Sequence, residues 1–145
     1  MNLSRMLAKR AAEGRPVRVA QIGAGKFGSM FLHQAPRTPG IHVIGIADLS
    51  VPRARDALAR VHWKDGTYDA RDLDEAIRTG GTHLTQDSMA LIADPRVDVV
   101  VECTGNPAAG LMHARHAIAH GKHVVMVNVE ADVLAGPLLT RAANR

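Results

Sequence analysis

Gly23, Gly25 and Gly28 stand in the spacing G-x-G-x-x-G, and that spacing suits one kind of chemistry, the close approach of backbone N–H groups to a pyrophosphate. The first glycine permits a tight turn off a strand. The second lets the backbone meet the phosphates, and the third lets a strand and the following helix pack closely. Lys26 and Phe27 fill the turn and are candidate contacts for the same ligand, although Lys26 could equally point into water. Asp48 follows Gly28 by twenty positions, where a carboxylate accepts hydrogen bonds from ribose hydroxyls and repels a 2′-phosphate. Arg53 and Arg55 lie just beyond it and are suited either to pairing with that phosphate or to solvation on a helix.

Further along the chain, Thr104 and Gly105 could line a second ribose, with a helix-capping turn as the plainer reading. Asn128 and Glu130 follow a later apolar run, and Glu130 is the candidate acid or base. Cys103 ends a strand with no base near it in sequence, so it reads as a buried spectator rather than a nucleophile. His113, His116 and His120 recur on one helix face at a metal-compatible spacing. That face lies opposite Leu111, Ala114 and Ile118, so it is expected to face solvent and hold no metal.

These residues need elements to position them. Val17 to Ile22 and Ile41 to Ala47 are short β-branched runs that read as buried parallel strands. A helix continues from Ser29 to Gln34 between them, and a second runs from the N-cap Ser50 to about Val61. Trp63 to Gly81 reads as a polar inserted excursion with a helical stretch over Ala70 to Arg78. Thr82 to Thr85, Val97 to Cys103 and Lys122 to Val127 are the remaining strands. Helices are expected over Asp87 to Ile92, from Asn106-Pro107 to His120, and from Asp132 to Ala143. Strands alternating with helices define an α/β class with a parallel sheet covered on both faces. With the glycine turn, this is a Rossmann-type doubly wound sheet.

The 145 residues, 46% of them hydrophobic, suffice for a single domain. Residues 1–16 form a lead-in, read as a short amphipathic helix with Leu3, Met6 and Leu7 turned inward, and residues 17–145 form the binding domain. The basic lead-in also resembles a transit peptide, but the first strand follows it almost at once. A single cysteine excludes an internal disulfide framework and fits a cytoplasmic protein. No apolar run reaches membrane-spanning length. A net charge of +4 raises nucleic acid as a partner, but the basic residues are scattered and aromatics make up only 3%, too few for a stacking platform. The remaining partner class is a small molecule, with room for a homo-oligomer.

The stretches Val17 to Phe31 and Gly121 to Leu134, with the lead-in and the Val99 to Pro107 block, resemble the N-terminal part of homoserine-dehydrogenase-like oxidoreductases that carry a C-terminal SAF domain. The resemblance implies an NAD(P)-dependent oxidoreductase and makes this chain the N-terminal part of a longer enzyme, inactive by itself. One branch of that family resembles a reductoisomerase acting on 1-deoxy-D-xylulose 5-phosphate with NADPH. True homoserine dehydrogenases carry Asn-Lys after the fifth strand, whereas Val129 follows Asn128 here. A sugar acid or sugar phosphate is therefore the expected substrate type. A non-catalytic NAD(H)-sensing domain is the alternative, and an S-adenosylmethionine-binding domain a third reading that the three-glycine spacing disfavours.

Overall fold

The computed structural model describes residues 2–145. After helix α1 (Leu3–Ala12) come strand β1 (Val17–Ile22), helix α2 (Lys26–Gln34), a 3-10 turn at Ala35–Arg37, strand β2 (Ile41–Ala47) and helix α3 (Val51–Arg60). Helix α4 (Leu73–Thr79), strand β3 (His83–Thr85), helix α5 (Ser88–Ala93) and strand β4 (Val99–Glu102) follow. Helix α6 (Pro107–Ala119), strand β5 (His123–Met126) and helix α7 (Val129–Ala143) complete the chain.

All five strands are parallel, in the order β3-β2-β1-β4-β5. The order reverses between β1 and β4, which opens a crevice at their carboxyl ends. Both faces of the sheet are largely apolar because helices cover them, except at the edge strand β5, where Val125 is half exposed. Val19, Val43 and Val101 face a core shared with Leu32 of α2 and Leu58 of α3. Their neighbours Ala20, Ile44 and Val100 face the other core, with Leu73, Ile92 and Ala117. This alternation is the period-two pleat of a strand. The pairing of β1 with β2 shifts by one residue at Ile44, a bulge that adds local twist.

The first two strands run over the residues their composition predicts. The later elements start or stop a few residues off, because capping side chains fix the helix ends. Asp72 caps α4 and Asp87 caps α5, each accepting from a backbone N–H in the first turn. Asn128 caps α7, so that helix begins at Val129 and takes in Glu130 and Asp132. The excursion from Trp63 to Gly81 is polar on its outside but anchored within. Tyr68 is buried in the core, and the Trp63 indole N–H donates to the Leu32 carbonyl at 2.7 Å.

Two expectations about helix faces are corrected. Leu3 and Met6 of α1 are exposed, not turned inward, because α1 meets the body through its backbone: a Cβ on Gly40 would lie 2.2 Å from the Leu7 carbonyl oxygen. The buried stripe of α6 is Gly110, His113, Ala114 and Ala117. His113 is therefore inside, and of the three histidines only His120 is exposed.

Candidate functional site

A cleft of about 460 Å³ opens at the carboxyl ends of β1, β2 and β4, lined among others by Gly23, Gly25, Asp48, Arg53, Thr104 and His113. Each glycine of the turn has a different physical reason to be glycine. Gly23 has φ +92, and a Cβ there would come within 3.0 Å of the Cys103 backbone. At Gly28 a Cβ would sit 2.5 Å from the Gly23 carbonyl oxygen and 2.6 Å from Gln21 Nε2. Both are glycines that the fold itself requires.

Gly25 differs. Its φ is −72, which any residue adopts, and a Cβ there would meet nothing within 4 Å. Neither the backbone conformation nor the packing calls for glycine at this position, whereas a ligand packed against the backbone does. Gly25 is also the N-cap of α2, which has no side-chain cap. Every other α-helix among the described residues is capped by a side chain, from Asn2, Ser50, Asp72, Asp87, Asn106 and Asn128. The uncapped N–H groups and positive dipole end of α2 are suited to an anion, the arrangement by which helix N-termini hold phosphates. A dinucleotide pyrophosphate fits this cradle.

Asp48, at the end of β2, is almost fully buried. Its Oδ2 accepts from the Ala24 backbone N–H at 2.9 Å, and its Oδ1 accepts from the Ser50 N–H at 2.9 Å and from Arg53 Nη2 at 2.8 Å. Burial pushes this carboxyl up, but the Ala24 and Ser50 N–H groups and the Arg53 guanidinium outweigh it and hold Asp48 below the usual carboxylate range. Asp48 thus ties the glycine turn to β2 while presenting its remaining acceptor capacity to the cleft. Its stabilisation is complete above about pH 4, the unfolded carboxylate value, and is lost as pH falls through the lower folded value. Asp48→Asn is expected to lower stability at neutral pH and to make the acid transition less steep, as followed by circular dichroism.

On the opposite wall, the buried Glu102 ends β4, and its Oε1 accepts from the Thr104 hydroxyl at 2.5 Å. Asn128 lies behind this loop. It is buried, donates to the Asn106 carbonyl at 2.8 Å and accepts from the Ala131 N–H at 3.1 Å. Asn128 is outside the cleft lining and holds Thr104 and Asn106 from the rear. Gly105 has φ +70 and gives the loop its turn. Lys26, Phe27 and Glu130 are exposed and also lie outside the lining. Glu130 falls in the first turn of α7, where a carboxylate complements the helix dipole. Arg55 pairs with Asp69 and stacks over Tyr68, away from the cleft.

Cys103 is buried, and burial and the neighbouring Glu102 push its thiol up to about 12. Against an ordinary thiol at 9.0 this lowers the thiolate fraction by roughly a thousandfold. Iodoacetamide is expected to label the folded protein slower than the denatured chain by about that factor; comparable rates would contradict it. Glu102 is the residue the sequence reading missed. Its signal was a carboxylate closing an otherwise apolar strand, Val99-Val100-Val101-Glu102. Among the described residues no group of three or more His, Cys, Asp or Glu side chains is arranged to hold a metal ion. Among the same residues no helix is long and apolar enough to cross a membrane.

The parallel sheet with its order reversal, and the glycine turn feeding an uncapped helix at that crevice, define a Rossmann-type dinucleotide-binding fold. The chain belongs to the family of homoserine dehydrogenase NAD-binding domains, whose family model matches residues 23–144. Over 64 residues, 43% of the chain, it is 41% identical to a homoserine dehydrogenase from Synechocystis sp., of which the match covers 14%. A homoserine dehydrogenase structure from Thiobacillus denitrificans superposes on 89% of the chain with a TM-score of 0.67 and 24% identity, covering 27% of that protein. A myo-inositol dehydrogenase from Lactobacillus casei, in complex with NAD(H) and myo-inositol, superposes on 88% with a TM-score of 0.65 and 17% identity, covering 33% of it. The chain therefore spans a third or less of the length of these relatives.

Proposed function

We propose that this chain is the NAD(P)-binding unit of an oxidoreductase acting on a hydroxy or keto group of a small polar substrate, a sugar acid or sugar phosphate in preference to homoserine. The observation that carries the cofactor part is the uncapped N-terminus of α2 at Gly25, where the missing side chain leaves open space in the cleft. A nicotinamide cofactor supplies hydride transfer when bound. The residues of this chain would hold it: Gly23, Gly25 and the first N–H groups of α2 at the pyrophosphate, Asp48 at the adenosine ribose, and the Thr104 loop on the far side. The substrate preference rests on Val129, which stands where the resemblance places a lysine in true homoserine dehydrogenases.

The Asp48–Arg53 pair bears on cofactor choice. Asp48 favours a ribose hydroxyl, while Arg53, whose side chain is 60% exposed, can swing to a 2′-phosphate. NAD is the expected preference, with NADP accepted through Arg53. Arg53→Ala is expected to weaken NADPH about tenfold and NADH much less, read by fluorescence titration; equal losses would contradict this assignment.

The test of the function is parallel titration with NADH, NADPH and S-adenosylmethionine, followed by assay with hydroxy acids, sugar acids and sugar phosphates. Binding of the reduced nicotinamides without turnover is the expected result, because the relatives place most of their length outside the matched region. Binding of S-adenosylmethionine alone would overturn the reading. Substrate-dependent change in nicotinamide absorbance by these 145 residues would overturn the expectation of inactivity.

A further inference from the structure

Beneath the cleft runs a chain of polar side chains that the glycine turn does not need. Glu102 is completely buried, and its Oε1 lies 3.2 Å from His113 Nδ1. His113, itself 5% exposed, places Nε2 at 3.0 Å from the hydroxyl of Ser88, the first residue of α5. Ser88 and His113 both line the cleft, and Glu102 stands behind them. The other carboxylate oxygen of Glu102, Oε2, makes no hydrogen bond of good geometry, and the Asn128 amide beside the carboxylate helps hold it in its charged form. A buried carboxylate with a free oxygen is costly, and a simple apolar core would avoid it.

The arrangement has a directional consequence. The carboxylate holds the proton of His113 on Nδ1. In the neutral imidazole Nε2 is then an acceptor, the Ser88 O–H donates to it, and Ser88 shows only lone pairs to the cleft. In the protonated imidazole Nε2–H donates to Ser88 Oγ, and the serine proton is free to turn outward. The charge changes in the same sense. Glu102 with neutral His113 leaves one negative charge under the cleft, and with protonated His113 the pair is balanced.

Building on the dinucleotide reading above, we propose that Ser88, His113 and Glu102 form a positioning chain for the anionic cofactor. Ser88 donates to an acceptor oxygen of the dinucleotide, and His113 and Glu102 act through it by setting the direction of its hydroxyl. Charged and titratable neighbours do not reproduce this response. Asp87 caps α5, and Asp48, paired with Arg53 across the cleft and held below the usual carboxylate range, stays charged between about pH 6 and 8. Cys103 stays a thiol throughout that range. His116, one turn on, lies 3.1 Å from the Met89 carbonyl and remains present in any His113 variant.

The test is the affinity for NAD⁺, which has no 2′-phosphate to titrate, measured by calorimetry at about pH 6 and pH 8 in the wild type, His113→Gln and Ser88→Ala. Wild-type affinity is expected to rise about tenfold toward the lower pH, and His113→Gln to abolish most of that rise. Ser88→Ala, a small change at a half-buried helix start, should weaken binding at the lower pH and leave it nearly unchanged at the higher one. A loss equal at both pH values would make Ser88 a merely structural neighbour and overturn the proposal. So would a full pH response retained in His113→Gln. Absence of NAD⁺ binding at either pH would instead overturn the dinucleotide reading, and this inference with it.

Discussion

Gly25→Val is expected to weaken NADH binding by at least a hundredfold, about 2.7 kcal/mol, while lowering the thermal unfolding midpoint by only a few degrees. The two halves of this expectation have separate causes. The backbone at Gly25 is in an extended conformation that valine accepts, and the space around its Cβ position is open, so the fold loses only the N-cap preference for glycine over valine, about 1 kcal/mol. The same space is where the pyrophosphate must approach the N–H groups of α2, and an isopropyl group would occupy it. Calorimetric titration and a thermal melt on one preparation check both halves. A large fall in the melting temperature would make Gly25 a structural glycine like its neighbours.

Gly28→Ala should behave in the opposite way. Its added methyl would press on the carbonyl oxygen of Gly23 and the amide of Gln21, and the first is backbone that cannot turn aside. Overpacking of this kind typically costs about 1–3 kcal/mol, and the rigid partner places Gly28→Ala toward the upper end, a fall of several degrees in the unfolding midpoint. Because the displaced atom belongs to Gly23, cofactor affinity should fall as well. A variant of unchanged stability would show that α2 is not pinned against β1 as described. The contrast between Gly25→Val and Gly28→Ala separates the part of the turn that serves the ligand from the part that serves the fold.

Those two roles of glycine were legible in the sequence only as a motif. The flanking strands were legible residue by residue, since Val17 to Ile22 and Ile41 to Ala47 are short β-branched runs with clear turn signals at each end. The position of Asp48 was legible too, but not its hydrogen bonds, which reach back to Ala24 across the sheet. Helix faces were harder. The buried stripe of α6 uses Gly110, Ala114 and Ala117, small residues that let α7 and the sheet come close, and a Cβ on Gly110 would touch Asn128. A pattern built on Leu111 and Ile118 is therefore rotated by one position, and it sends His113 outward when tertiary packing brings it in. Glu102 escaped notice for a related reason: a carboxylate becomes buried only because His113 and Thr104, distant or local in sequence, arrive to satisfy it. Asn128 and Glu130 were placed on a loop, and the N-cap formed by Asn128 itself turns that loop into the first turn of α7.

The central claim is that the cleft at the head of α2 holds a nicotinamide dinucleotide through the glycine turn. Calorimetric titration of the folded wild type with NADH, repeated on Gly25→Val, tests it most directly. One binding site in the wild type and its loss in a variant that remains folded are the predicted results. A folded wild type that binds neither NADH nor NADPH, or a Gly25→Val variant that binds NADH as tightly as the wild type, would contradict it.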